Sequence, residues 1–160
     1  MHAKVDKNRF SEAQFAETVT AAAIAACRHD LSAGSAEMSS KTILIVDDSF
    51  SLRQTISMAL KAAGYDVVEA IDGRDGLNKL DGRKYNLVIS DVNMPNLDGL
   101  SFVRELKQNP NYKFTPVLML TTESGDSRKQ EGKAIGVRAW VHKPFLPPVL
   151  LEAVAKLVSP

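Results

Sequence analysis

Cysteine is almost absent from this chain: Cys27 is the only one. A single thiol excludes an internal disulfide framework and any metal site built from several cysteines. Charge of one sign is not in excess either. The formal net charge is +1, which leaves no bulk field to hold nucleic acid. No apolar run is long enough to span a bilayer, so no membrane-embedded role is expected. No repeat of solenoid type is present. What remains is a chain of 160 residues, 44% of them hydrophobic. That suits one core-forming domain with an appendage.

Residues 1–40 read as the appendage, a helix followed by a linker. Ser11-Glu12-Ala13-Gln14 fits a capping box, which satisfies two orphan amides at a helix start. Phe15, Val19, Ala23 and Ala26 follow at helical spacing, but a mostly alanine face buries little. His29 to Ser40 is small, polar and linker-like. The segment is too short for its own core. Ile24-Ala25-Ala26-Cys27 faintly resembles a lipoprotein cleavage site, yet Asp6, Glu12 and Glu17 interrupt the lead such a signal needs. Met38, just ahead of the first strand, is an alternative start of translation. His2 and His29 have no ligand partners at metal spacing.

From Lys41 the pattern is regular, and residues 41–160 form the expected domain. Mostly apolar stretches Ile43–Val46, Asp66–Ala70, Leu87–Ile89, Pro116–Leu120 and Val137–His142 alternate with amphipathic segments. Short apolar runs bounded by turn signals are buried strands. The segments between them carry helical stripes: Leu52, Ile56, Ala59, Leu60 and Ala63; Leu77 and Leu80 on a weak helix over 73–80; Phe102, Val103 and Leu106; a polar helix over 124–135; and Leu150, Val154, Leu157 and Val158. Gly64 and Gly136 stand where two of these helices should stop. Apolar strands alternating with such helices predict an α/β fold: a doubly wound, five-stranded parallel sheet covered on both faces. The flavodoxin-like strand order 2-1-3-4-5 is the natural candidate.

The chain is organised around Asn86-Leu87-Val88-Ile89-Ser90-Asp91-Val92-Asn93-Met94-Pro95. A buried strand runs up to one carboxylate, and Pro95 keeps its predecessor out of helical angles. A lone carboxylate there is costly unless something meets it. In sheets of this type ligands bind outside the carboxyl ends of the strands. The polar residues at those ends are Asp47 and Asp48, Asp91, Thr121 and Thr122, and Lys143. Like charges about 4 Å apart repel by roughly 4 kcal/mol at an effective dielectric near 20. The crevice must therefore bind a cation or hold a proton. Oxygen ligands with open positions suit magnesium, which also accepts a phosphate oxygen. Asp91 then stands as an attacking oxygen, with Lys143 and Thr121 cradling a phosphoryl group. Taken singly, each residue has an ordinary explanation. Asp48 or Ser49 would cap a helix, Asp91 would shape a turn, Thr121 would bond backbone and Lys143 would be solvated. Their coincidence at four strand ends does not have one.

Four segments, Ile45-Val46-Asp47-Asp48-Ser49, Ser90 through Gly99, Leu118-Met119-Leu120-Thr121-Thr122-Glu123 and Lys143-Pro144-Phe145, resemble the response-regulator receiver domain. The resemblance is greatest to the single-domain chemotaxis type and covers residues 41–158. CheY is itself a known example of the strand order given above, so that order is carried over rather than derived. The resemblance implies a phosphorylation-activated regulator of a two-component system. A histidine kinase would pass a phosphoryl group to Asp91. Asp48 and Asp91 would hold Mg2+ with the main-chain carbonyl of Asn93, and Asp47 would join through water. Thr121 and Lys143 would bind the phosphoryl oxygens. Asn93 and Glu123 would tune hydrolysis of the acyl phosphate, and the bond before Pro144 would be cis.

Trp140, the only tryptophan, stands where the family often has a smaller aromatic that swings inward on activation. A bulkier ring makes that swing harder, while a step by Thr121 toward the phosphate is retained. Alternation turns His142 away from Lys143, so it reads as structural. Arg128, Lys129 and Lys133 on the polar helix read as a solvated face, and that helix should be loosely held. No output domain follows Pro160, so output is expected through a protein contact, a flagellar motor switch protein by resemblance, in the cytoplasm. A phosphorelay intermediate or phosphate sink is an alternative role. A magnesium-dependent phosphatase with an aspartate nucleophile is a rival, but such enzymes carry Asp-x-Asp after the first strand. A flavin carrier is another, but Asp47-Asp48 would repel the flavin phosphate.

Overall fold

The computed structural model describes residues 40–158. The expected helix in the appendage, Cys27 and the alternative start at Met38 lie outside the described residues. Each element forms where its apolar pattern requires. Strand β1 spans Thr42–Val46 and is followed by helix α1, Phe50–Ala62. Strand β2 is Asp66–Ala70, and the short helix α2 is Gly73–Asn78. Strand β3 is Leu87–Asp91 and helix α3 is Gly99–Gln108. Strand β4 is Val117–Thr121 and helix α4 is Asp126–Ile135. Strand β5 is Ala139–His142 and helix α5 is Pro147–Val158. Boundaries move by a residue or two from the sequence reading, as frayed ends do. The larger shifts are at α4, which starts at Asp126, and at β5, which starts at Ala139.

All five strands pair in parallel in the order β2-β1-β3-β4-β5. Side-chain alternation splits the core into two layers. Leu44, Val46, Val88 and Met119 point to one face and pack with Phe102, Val103 and Leu106 of α3. Ile43, Ile45, Ile89, Leu118 and Leu120 point to the other and meet Ile56 and Leu60 of α1 and Leu150 and Val154 of α5. Strands β3 and β4 are buried along their whole length. Each fully buried aliphatic side chain contributes about 1.5–3 kcal/mol, so the centre of the sheet is the rigid part. Asp91 ends β3 and Thr121 ends β4.

The connections aim these ends. Ser49 caps α1 by accepting from the Leu52 amide. Of the two expected cap candidates, Ser49 takes this position, and Asp48 is left exposed for other contacts. Asp98 caps α3, accepting from the Ser101 amide at 2.7 Å. Gly99 packs so tightly that a Cβ there would stand 2.0 Å from the Asp91 carbonyl oxygen. Asn96, at φ 68°, donates to Asp72, the cap of α2, at 2.9 Å. The loop after Asp91 is thus held from α3 on one side and from the start of α2 on the other.

Candidate functional site

Three carboxylates meet at the carboxyl ends of β1 and β3. Asp47, Asp48 and Asp91 can each bring an oxygen within 4.8 Å of the others. Asp47 is fully buried, Asp91 is 8% exposed, and Asp48 is open to solvent. Lys143, just after β5, crosses to this cluster. Its Nζ lies 3.2 Å from Asp47 Oδ2 and 3.1 Å from Asp91 Oδ2. The peptide bond between Lys143 and Pro144 is cis, as the resemblance implies.

Burial pushes the Asp47 carboxyl pKa up, and the nearby Asp91 carboxylate adds to the rise. The Ser49 amide, which donates to Asp47 Oδ1 at 2.8 Å, and the Lys143 ammonium both act against it. Desolvation is the largest cause, so negative charge at Asp47 is poorly compensated by protein groups alone. A buried set of carboxylate oxygens with one open, exposed member is the donor chemistry of a hard divalent cation that keeps some of its waters. The residues fit magnesium.

Behind the cluster, Arg53 of α1 is buried and donates to the Asp47 carbonyl at 2.7 Å. Its Nε lies 3.4 Å from Glu69 of β2. This brace fixes the turn that carries Asp47 and Asp48. The sequence gives one signal for it, a cation at the inward-facing position of α1 among Leu52 and Ile56, and reading the stripe for apolar residues alone passes over it.

In front of the cluster, Thr121 is buried and its hydroxyl is engaged by backbone. It accepts from the Glu123 amide at 3.0 Å and donates to the Glu123 carbonyl at 3.3 Å. Asn93 and Glu123 meet from separate loops, with Asn93 Nδ2 donating to Glu123 Oε1 at 3.3 Å. Arg128 corrects the sequence reading. It does not belong to a purely solvated face, because its Nε pairs with Glu123 at 3.2 Å and its Nη1 donates to Asn93 Oδ1 at 3.4 Å. The first turn of α4 lies next to the preceding loop, and a helical stripe cannot reveal that. His142 is apart from the carboxylates, exposed and 3.1 Å from Lys129. Trp140 is half-buried against the core layer of α3. A Cβ on Gly132 would stand 2.4 Å from its Cζ2, so the indole lies against the backbone of α4.

A cleft of about 270 Å3 lined by Leu52, Thr122, Lys143, Pro144 and Phe145 opens beside the site. A larger one, about 660 Å3, is lined by residues from the amino ends of β1 and β2, Lys61, Tyr65 and Arg83 among them. It is remote from the carboxylates, so size does not locate the chemistry here.

Residues 43–155 match the family described as the response regulator receiver domain. The chain is 38% identical over 112 residues to protein PilG of Pseudomonas aeruginosa, covering 70% of this chain and 83% of that protein. It is also 38% identical over 112 residues to the chemotaxis protein CheY1 of Helicobacter pylori, covering 69% of this chain and 90% of that one. Among solved structures it resembles the Vibrio cholerae chemotaxis protein CheY4, with a TM-score of 0.72 and 46% identity. That match covers 74% of this chain and 99% of the other.

Proposed function

This chain belongs to the response regulator receiver domain family, whose members signal when phosphorylated within two-component systems, and we propose that Asp91 is the side chain that takes the phosphoryl group. The observation that supports this most is the ammonium of Lys143 held between the Asp91 and Asp47 carboxylates at the end of β3. A carboxylate oxygen of Asp91 attacks phosphorus on a phosphohistidine of a histidine kinase. The new P–O bond forms as the P–N bond breaks, and the imidazole leaves and regains a proton.

The residues around Asp91 divide the work. Lys143 already touches the carboxylate, so it needs only a small movement to pair with a phosphoryl oxygen. Thr121 gives up its bond to the Glu123 carbonyl and donates to the phosphoryl group instead. Asp47, Asp48 and Asp91, with the main-chain carbonyl of Asn93, would hold magnesium, which when bound supplies charge to offset that of the phosphoryl oxygens. Asn93 and Glu123 stand over the acyl phosphate and influence how water reaches it. Motion of Thr121 shifts a pre-existing equilibrium in the surface formed by α4, β5 and α5, and Trp140 on β5 reports it.

That surface contacts the downstream target. By family resemblance that target is a flagellar motor switch protein, and the reading carries a cytoplasmic location with it. Labelled acetyl phosphate with magnesium tests the central claim. An acid-stable, base-labile label is expected on the wild type and none on Asp91→Asn. Equal labelling of the variant would show that another residue accepts the group. Capture with the phosphorylated and unphosphorylated chain then tests the motor partner, which should bind the phosphorylated form more tightly.

A further inference from the structure

We propose that Arg128 is a positioning residue that closes the mouth of the phosphoryl site and prolongs the life of the acyl phosphate. This rests on the assignment of Asp91 as phosphoacceptor. Three side chains form a closed triangle: Asn93 to Glu123, Glu123 to Arg128, and Arg128 back to Asn93. They come from three places, the loop after β3, the loop after β4 and the first turn of α4. Asn93 lies two residues beyond Asp91 and Glu123 two beyond Thr121. Asn93 and Glu123 are exposed and Arg128 is half-buried, while Asp91 and Thr121 are buried, so the triangle is the outer layer over the site.

Without Arg128, Glu123 and Asn93 share one long hydrogen bond between two loops. The guanidinium adds a contact to each, and its planar fork can hold both at once. Lysine is a single point charge and cannot. Hydrolysis of the acyl phosphate requires a water oxygen to attack phosphorus. Its new P–O bond forms as the P–O bond to Asp91 breaks. Inorganic phosphate leaves carrying the water's oxygen, with its two protons shared between phosphate and solvent, and the carboxylate is regenerated. That water must pass between Asn93 and Glu123. A triangle held shut by Arg128 slows its approach, and an opened one admits it. The triangle also ties α4 to the mouth, so a target that pulls on α4 alters phosphate lifetime.

Exposed ion pairs are weak, which limits the expected effect to roughly two- to fivefold. The test loads wild type, Arg128→Ala and Arg128→Lys with labelled acetyl phosphate, removes the donor, and follows loss of label at low and high salt. Arg128→Ala should lose phosphate about two- to fivefold faster, with Arg128→Lys in between. Added salt should speed the wild type toward the variant and leave Arg128→Ala unchanged, since an exposed ionic contact is screened. A merely structural arginine would instead lower urea stability without this salt response. Equal or longer lifetimes in Arg128→Ala overturn the inference, as does equal salt dependence in both proteins. If the wild type takes no label on Asp91, the assignment of the phosphoacceptor fails and this inference falls with it. A label on Asp91 with unchanged lifetimes defeats the role of Arg128 alone.

Discussion

Replacing Lys143 with methionine should destabilise the protein, and magnesium should largely cure it. Lys143 lies 3.1 Å from Asp91 and 3.2 Å from Asp47, with only 16% of its side chain exposed. At an effective dielectric near 20, each such pair attracts by about 5 kcal/mol before desolvation is counted. Methionine keeps the volume, so packing is nearly conserved. Removing one member of a buried ionic pair costs about 3–5 kcal/mol, because the partner is left uncompensated. Asp47 limits the loss by taking up a proton. Burial already raises its pKa, and loss of the ammonium raises it further. A carboxylate with a raised folded pKa reduces stability above that pKa, and the penalty disappears as pH falls through it. The deficit of Lys143→Met should therefore be about 3 kcal/mol near pH 8 with chelator and shrink as the pH falls toward the ordinary carboxylate range. Millimolar magnesium at the same alkaline pH should restore most of it, since a cation bound by Asp47, Asp48 and Asp91 adds RT ln(1 + [L]/Kd) to stability. Urea denaturation followed by circular dichroism measures all three conditions. A deficit that is the same with and without magnesium, or that grows on acidification, would refute the argument that Lys143 and the cation satisfy the same carboxylates.

Gly132→Ala should push the Trp140 indole from its seat, since the new Cβ would stand 2.4 Å from Cζ2; a shifted emission maximum is expected, and an unchanged spectrum would place the ring elsewhere. In the wild type, beryllofluoride with magnesium should change the same emission, and silence would separate Trp140 from the site. Gly99→Ala cannot keep its backbone position, because the new Cβ would stand 2.0 Å from the Asp91 carbonyl oxygen, so weaker magnesium binding together with a stability loss of about 1–3 kcal/mol is expected by titration and urea melts. Asp72→Ala should remove a cap worth about 1 kcal/mol. The Asp75 amide and then Asn96 hold the Asp72 pKa below its ordinary value, so its stabilisation is present above about pH 4 and lost on further acidification. The variant's acid unfolding curve should be flatter below that pH, and a parallel curve would count against the bonds from the Asp75 amide and Asn96.

Much of the fold was legible because its signals are local. Apolar runs such as Leu87–Ile89 and Val117–Leu120 are too short and too continuous for surface helices, and Gly64 and Gly136 mark helix ends by needing positive φ. The carboxylates at strand ends were legible for the same reason: Asp47 and Asp48 close the run Ile43–Val46, and Asp91 stands one serine beyond Leu87–Ile89. The strand order came from resemblance, and pairing in three dimensions bears it out. The choice of Ser49 over Asp48 as cap was not legible, because both residue types accept an amide equally well and only the turn geometry selects one.

By itself the sequence determined an alternation of buried strands and amphipathic helices, with acidic residues where parallel strands must end on one side of the sheet. Tertiary structure decided which distant charges meet them. Lys143 reaches Asp47 across 96 positions, and Arg128 reaches Asn93 across 35. A helical or strand period says which way a side chain leaves its own element. It does not say what stands opposite once elements pack, and the electrostatics of this site are fixed at that second step.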